Sequence, residues 1–240
     1  MRQIGRGRLQ QAQAELWQHG DDFVMYDAAL VATPRVELFE PDWWHAEGRV
    51  EGSFDGRGKV QVVCHGDARW VLRRYRRGGL VSKIADSAYL WAGLERTRPW
   101  REWRLLAELC DRGLPVPRPV AAHVRRIAWR YGGHILTELI EQAQPMTDAL
   151  NRGTWLRPDW RRLGETLRQF RDAGVHHPDL NVRNILLCGD GRIYLIDFDK
   201  GRFGASVAQW RRDLQRLRRS IDKHHAIDEA DWQSLVEACG

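Results

Sequence analysis

The sequence contains no apolar run long enough to cross a bilayer; the longest, near Ile193 to Phe198, is strand-sized. The first residues, MRQIGRGRLQQAQAELW, lack an apolar centre, which argues against a secretory signal. Cysteine is sparse: Cys64, Cys110, Cys188 and Cys239 lie far apart and form no C-x-x-C pair. Neither a metal cluster nor a disulfide framework is expected from them, and a reducing cytosol is the natural setting. There is no internal repeat and no long low-complexity tract. No zinc-finger or base-stacking motif supports a nucleic-acid partner.

What the chain does have is positive charge and tryptophan. Its 240 residues carry 38 Lys and Arg against 32 Asp and Glu, a net charge of +6 supplied mostly by arginine. Such a balance suits an anionic partner, whether nucleic acid, nucleotide or phospholipid surface, and equally suits simple solubility. The twelve tryptophans are expected mainly in the core, with some at a membrane interface beside arginines. Length and a 43% hydrophobic content allow one large domain or two tightly joined lobes.

Residues 9–19 read as a short polar helix followed by irregular chain. Gly48 to Val63 reads as a glycine-dense hairpin, and Ala68 to Tyr75 as a further strand. A basic glycine loop, RRGGLVSK, follows at 76–83. Residues 99–112 form a predicted helix, with Pro99 in its first turn, Trp103, Leu105, Leu106 and Leu109 as its apolar stripe and Gly113 at its end. The prolines of LPVPRPVAAHV keep that segment extended, and strands are expected near 124–131 and 134–140. Leu163, Leu167 and Phe170 recur at helical spacing over 160–173. Two short strands, 185–187 and 193–196, flank the turn Cys188-Gly189-Asp190-Gly191, and helices are expected over 207–223 and 228–238. A strand-rich first part (1–140) and a helix-rich second part (141–240) predict an α+β fold of two lobes with a cleft between them.

The chemistry is concentrated in HHPDLNVRNILLCGDGRIYLIDFDKG, residues 176–201. Asn184 stands five residues after Asp179, and Asp197 thirteen residues after Asn184, with a small hairpin between. Taken singly, a His-x-Asp is a solvated loop and an Asp-Phe a strand end. In this order, around a hairpin and behind an amphipathic helix, they fit phosphoryl transfer. One carboxylate would orient and deprotonate a hydroxyl, while the other, with the Asn184 amide, holds Mg2+ on the phosphates.

This segment resembles the catalytic and magnesium-binding loops of the protein-kinase-like superfamily. YRRGGLVSK (75–83), RPWREWRLLAEL (98–109), GLPVPRPVAA (113–122), DLNVRNILL (179–187) and LIDFDKG (195–201) extend the likeness to the bacterial lipopolysaccharide kinases, most of all those acting on 3-deoxy-D-manno-octulosonic acid (Kdo). The resemblance covers roughly residues 45–225 and implies a two-lobed kinase-like fold: a small antiparallel-sheet N-terminal lobe with one helix, and a compact, mostly helical C-terminal lobe. It implies ATP and Mg2+ as cofactors, Asp179 as catalytic base, Asn184 and Asp197 as metal ligands, and His177 as a brace for the catalytic loop. Arg73 stands where such kinases carry a phosphate-binding lysine; a guanidinium binds phosphate through a fork instead of a point charge. Arg74 would point to the opposite strand face. Glu102 matches the glutamate that pairs with that cation, although Arg98 or Arg101 could equally be its partner. The glycine turn around Gly52, Gly56 and Gly58 matches the phosphate-covering loop but lacks its full spacing. Glu138 to Glu141, including Ile140, matches the hinge whose backbone meets adenine. Two departures stand out. Asn181 lies where protein kinases often carry lysine, a charge Arg183 or Lys200 could supply, and no Ala-Pro-Glu segment follows Asp197. The second favours a small or lipid-linked acceptor. The resemblance implies a Kdo-bearing lipid A precursor as acceptor, phosphorylated on the Kdo 4-hydroxyl, and a peripheral place at the cytoplasmic face of the inner membrane. The anionic surface there would face Arg76, Arg77 and Lys83, with Trp91 and Trp100 nearby. No protein partner is evident. Another sugar acceptor, such as a core heptose or an aminoglycoside, and a non-catalytic kinase-like scaffold are the alternatives.

Overall fold

The computed structural model describes residues 12–54, 60–75, 89–225 and 227–240. Strands β1 (Ala14–His19), β2 (Asp22–Asp27), β3 (Val50–Phe54), β4 (Val60–His65), β5 (Ala68–Arg74), β6 (Tyr89–Leu90), β7 (Pro119–Ile127) and β8 (Arg130–Glu138) form one antiparallel sheet. Its order is β1-β2-β7-β8-β5-β4-β3, with β6 added alongside β8. Residues 9–19 were expected to be helical; the described part is instead edge strand β1, paired with β2 from Ala14↔Asp27 to His19↔Asp22. Most of its side chains are exposed, so no alternation marks it, and pairing across a tight turn overrides the helix preference of Gln, Ala and Glu. Strand β7 begins earlier than expected, at Pro119, beside a register shift between Pro119 and Ala121, where a strand tolerates proline.

Alternation along the strands gives the sheet two apolar faces. One packs on helix α2 (Arg98–Asp111), which buries Trp100, Trp103, Leu105, Leu106 and Leu109. The other, with Val24, Val63, Trp70, Leu72 and Leu136, is covered by Leu38 and Phe39 and by Trp44 of the short helix α1 (Pro41–Ala46). The tryptophans therefore serve mainly as core. Trp100, considered above for a surface role, is only 7% exposed.

The second part contains β9 (Ala143–Pro145), α3 (Met146–Asn151), α4 (Arg157–Asp172), β10 (Val175–His176), β11 (Ile185–Cys188), β12 (Ile193–Leu195), β13 (Arg202–Phe203), α5 (Val207–Asp222) and α6 (Glu229–Cys239). Ser206 caps α5 by accepting the Gln209 N–H at 3.2 Å, and Asp228 caps α6 by accepting the Ala230 N–H at 2.9 Å. Helices α4 and α6 touch backbone to backbone at Gly164, where an added Cβ would lie 2.3 Å from the Leu235 carbonyl oxygen. Gly164→Ala should therefore force the helices apart and cost about 1–3 kcal/mol, read as a lowered urea midpoint.

His123 and His134 face each other across β7 and β8, their rings 5.9 Å apart and nearly parallel, with Phe39 stacked on His123. Asp22 accepts from His123 Nε2 at 2.7 Å, while neither Nδ1 has a partner among the described residues. Burial, reinforced by His123 and Arg74, draws the His134 pKa from 6.5 down to about 3. Burial also lowers that of His123, despite Asp22. Both rings fold neutral. As pH falls below about 6.5 the unfolded chain gains protons that the folded chain refuses, so stability is full above that pH and is lost toward about 3. His134→Phe should flatten the dependence of melting temperature on pH between about 6.5 and 5; an unchanged slope would exclude this pair as its source.

Candidate functional site

The hairpin of β11 and β12 is in register from Ile185↔Leu195 to Leu187↔Ile193, so residue 184 at its entry lies beside residue 196 at its exit. Four hydrogen bonds turn this into a closed ring. The Asp179 N–H donates to His177 Nδ1 (3.3 Å), and His177 Nε2 donates to the Ile196 carbonyl (3.0 Å). The Ile196 N–H donates to the Asn184 carbonyl (3.0 Å), and Asn184 Nδ2 donates to the Asp179 carbonyl (2.9 Å) and, at 3.4 Å, to Asp179 Oδ2. Burial lowers the His177 pKa even though the Ile196 carbonyl and nearby aspartates favour its charge. A neutral ring is what this network needs, because Nδ1 must accept. The ring leaves the Asp179 side chain exposed, Asn184 buried and Asp197 half-buried. Asp197 itself adopts φ 62, a left-handed conformation uncommon for a non-glycine residue.

Strand β5 delivers Arg73 to the same place. Arg73 Nη2 lies 2.5 Å from Glu102 Oε1 on α2, and Nη1 lies 3.1 Å from Asp197 Oδ1. Neither Arg98 nor Arg101 takes Glu102; its second oxygen accepts from the Tyr75 hydroxyl. Arg74 is exposed, as the strand alternation predicts. Burial opposes the Arg73 charge, but Glu102, with Tyr75 and Asp197, outweighs it and raises the pKa. Burial next to Glu102 raises the Tyr75 pKa as well, which keeps its hydroxyl proton as the donor.

Sequence reasoning missed one anchor. Arg98, at the start of α2, pairs with Asp199, Nε donating to Oδ1 at 2.7 Å. Both residues lie in motifs quoted above, but 101 residues apart, so no local pattern joins them. Two residues on, Gly201 fits so closely under α2 that a Cβ would lie 2.8 Å from Leu105 Cδ2 and 2.9 Å from the Phe198 carbonyl oxygen. The acid loop is thus fastened to α2 by one ion pair and one close approach.

Residues 41–238 match the lipopolysaccharide kinase (Kdo/WaaP) family. The chain belongs to this family. A relative from Stenotrophomonas maltophilia (strain K279a), 40% identical over 83% of this chain and 80% of its own length, is named 3-deoxy-D-manno-octulosonic acid kinase. So are relatives from Vibrio vulnificus (strain CMCP6), 34% identical over 91% of this chain and 92% of its own length, and Xylella fastidiosa (strain 9a5c), 37% identical over 85% and 82%. The α+β fold, with an antiparallel sheet followed by helices, accords with a kinase-like family.

Kinases of this family imply a nucleotide and a divalent ion, and the residues present fit both. Asp197 Oδ1 is buried with no hydrogen-bond donor among the described residues, its Arg73 contact being an ion pair only. Asn184 spends its side-chain N–H on Asp179, which leaves its side-chain oxygen Oδ1 for a cation. No group of three or more His, Cys, Asp or Glu side chains able to hold a metal occurs among the described residues. Two oxygen ligands suit Mg2+, which takes one or two protein groups and completes its shell with phosphates and water. At the end of β8, the Glu138 N–H is held by the Arg118 carbonyl and the following Leu139 N–H by the Arg69 carbonyl, both at 2.9 Å. The Ile140 N–H has no hydrogen bond among the described residues. Burial raises the Glu138 pKa against the pull of Arg118. Gly52 lies in β3 at a register shift, whereas Gly56 and Gly58 lie outside the described residues.

Arg73→Met should leave the Glu102 carboxylate, only 2% exposed, without its counter-ion, at a cost of about 3 kcal/mol. The double variant with Glu102→Met should recover most of that loss in urea titrations. If the two losses simply add, the pair is not coupled.

Proposed function

We propose that the chain transfers the γ-phosphoryl group of ATP to the 4-hydroxyl of Kdo on a Kdo-bearing lipid A precursor, during assembly of the lipopolysaccharide inner core. The observation carrying this reading is the hydrogen-bonded ring, which brings Asp179, Asn184 and Asp197 together beside the Arg73–Glu102 pair. Asp179, the exposed carboxylate, accepts the proton as the sugar oxygen bonds to phosphorus and the bond to the bridging oxygen of ADP breaks. Asn184 and Asp197 hold Mg2+, which when bound offsets phosphate charge. Arg73, aimed by Glu102, turns its guanidinium to the α- and β-phosphates. His177 braces the loop, and the backbone of Glu138 to Ile140 meets adenine. We take 1–140 and 141–240 as the two lobes around this cleft.

A net charge of +6 supports an anionic membrane surface as partner, at the cytoplasmic face of the inner membrane. We read the attachment as peripheral; no helix among the described residues is long and apolar enough to cross a membrane. Arg76, Arg77 and Lys83 lie outside the described residues. One observation favours a second reading. Because Arg73 already contacts Asp197, a catalytically silent scaffold would keep this arrangement without turnover.

Incubation with ATP, Mg2+ and the Kdo-bearing precursor should add one phosphate to the lipid by mass spectrometry, and Asp179→Ala should slow the reaction by about 10²–10⁴-fold. Unchanged lipid with folded protein selects the scaffold; a near-parental rate in the variant removes Asp179 from the role of base.

A further inference from the structure

Three large apolar side chains at one end of the sheet face solvent: Ile127, Trp129 and Leu90 are 60%, 59% and 65% exposed. The burial pattern of β7 explains their position. Pro119 to Val124 are buried, then Arg125, Arg126 and Ile127 emerge, so the β7–β8 hairpin runs on past the core. Strand β6 lies on the other side of β8, and Arg130 pairs with both Ile127 and Leu90. Residues directly opposite one another share a face, so Ile127, Arg130 and Leu90 form one outward row. The Arg130 guanidinium lies 4.0 Å over the Trp129 ring, and the Trp91 N–H donates to the Trp129 carbonyl at 2.9 Å, tying β6 to the tip.

The other face stiffens this end. Tyr89 and Tyr131 rings lie 5.3 Å apart, Trp91 stacks on Phe23, and Arg126 lies 5.4 Å over Trp91. Arg126 and Arg130 pair with no carboxylate among the described residues, and Arg125 reaches only Asp22, at 3.6 Å. Asp21, whose carbonyl accepts the Arg126 N–H, adds one exposed acid, so the described residues of this end keep a positive excess.

An apolar protein surface laid here would bury Arg130 without a counter-ion, at a large desolvation cost. A lipid headgroup layer meets both needs: phosphates pair with the arginines while the apolar tip enters the acyl boundary, the usual arrangement of tryptophan and arginine at bilayer interfaces. We propose that the β7–β8 tip together with β6 is the surface by which this chain docks on an anionic lipid bilayer. The proposal deepens the membrane placement given above and rests on that part of it alone, not on the acceptor. It also orients the site. Tyr89, adjacent to Leu90, carries the Arg98 guanidinium 4.8 Å over its ring, and Arg98 holds Asp199, so the docked edge adjoins the acid loop.

Co-sedimentation of the full chain with vesicles of phosphatidylglycerol and phosphatidylethanolamine, compared with phosphatidylcholine alone, tests this. The parent should favour the anionic vesicles. L90S/I127S/W129S should weaken that binding by about tenfold or more, and R130Q should reduce the preference for anionic lipid. Melting temperatures near the parental value establish folding; if the triple variant melts early, W129S and R130Q carry the test singly. Parental vesicle binding in the folded variants overturns the proposal, and so does a parent that binds neither vesicle. It is equally overturned if light scattering shows that the tip variants only dissociate a dimer while vesicle binding is retained. Phosphorylation of water-soluble Kdo should be unaffected by the tip variants. If the parent phosphorylates no Kdo acceptor yet the vesicle results hold, the docking surface stands and only the kinase reading falls.

Discussion

The site depends on one cyclic set of hydrogen bonds running through residues 177, 179, 184 and 196. Each member of the ring is both donor and acceptor, and every one of the four links uses at least one backbone group, so its geometry is set mainly by chain path. The buried imidazole is the exception: it spans two strands of chain that no ladder connects. Its neutrality follows from its burial, so the environment that hides His177 also selects the protonation state that lets it bridge. Loops entering and leaving a hairpin are ordinarily the freest parts of a fold; here they are tied to each other.

Arg73 shapes the electrostatics of the centre by reaching two carboxylates at once. A guanidinium is a planar fork, and Arg73 hydrogen-bonds Glu102 with one arm while the other forms an ion pair with Asp197. A lysine ammonium is a compact point charge without that fork. Arg73 therefore bridges α2 and the acid loop at once, while Arg98 and Asp199 repeat the linkage one helical turn away on α2.

Much of this was legible in the sequence, for identifiable reasons. Helices α2 and α4 carry long amphipathic patterns closed by Gly113 and Gly174, and the β11–β12 hairpin is marked by its Gly-Asp-Gly turn. The spacing of Asp179, Asn184 and Asp197 was informative because a short hairpin leaves its ends little choice of position. Strand β1 was not legible, since an exposed edge strand rich in helix formers is specified by its partner alone. The covering of the second sheet face by residues 36–46 was missed because Leu38, Phe39 and Trp44 show no period that names their target. The Arg98–Asp199 pair escaped because it joins distant segments, and such contacts leave no local trace.

One apolar cluster runs without a break from Met25 in β2 through Trp103 and Leu106 in α2 to Leu163 in α4 and Leu235 in α6. Sheet and helices thus share their interior instead of meeting across a wetted seam. Either part alone would present its share of that interior to water, so cooperativity spans sheet and helices together, and the residues of the site belong to a single thermodynamic unit.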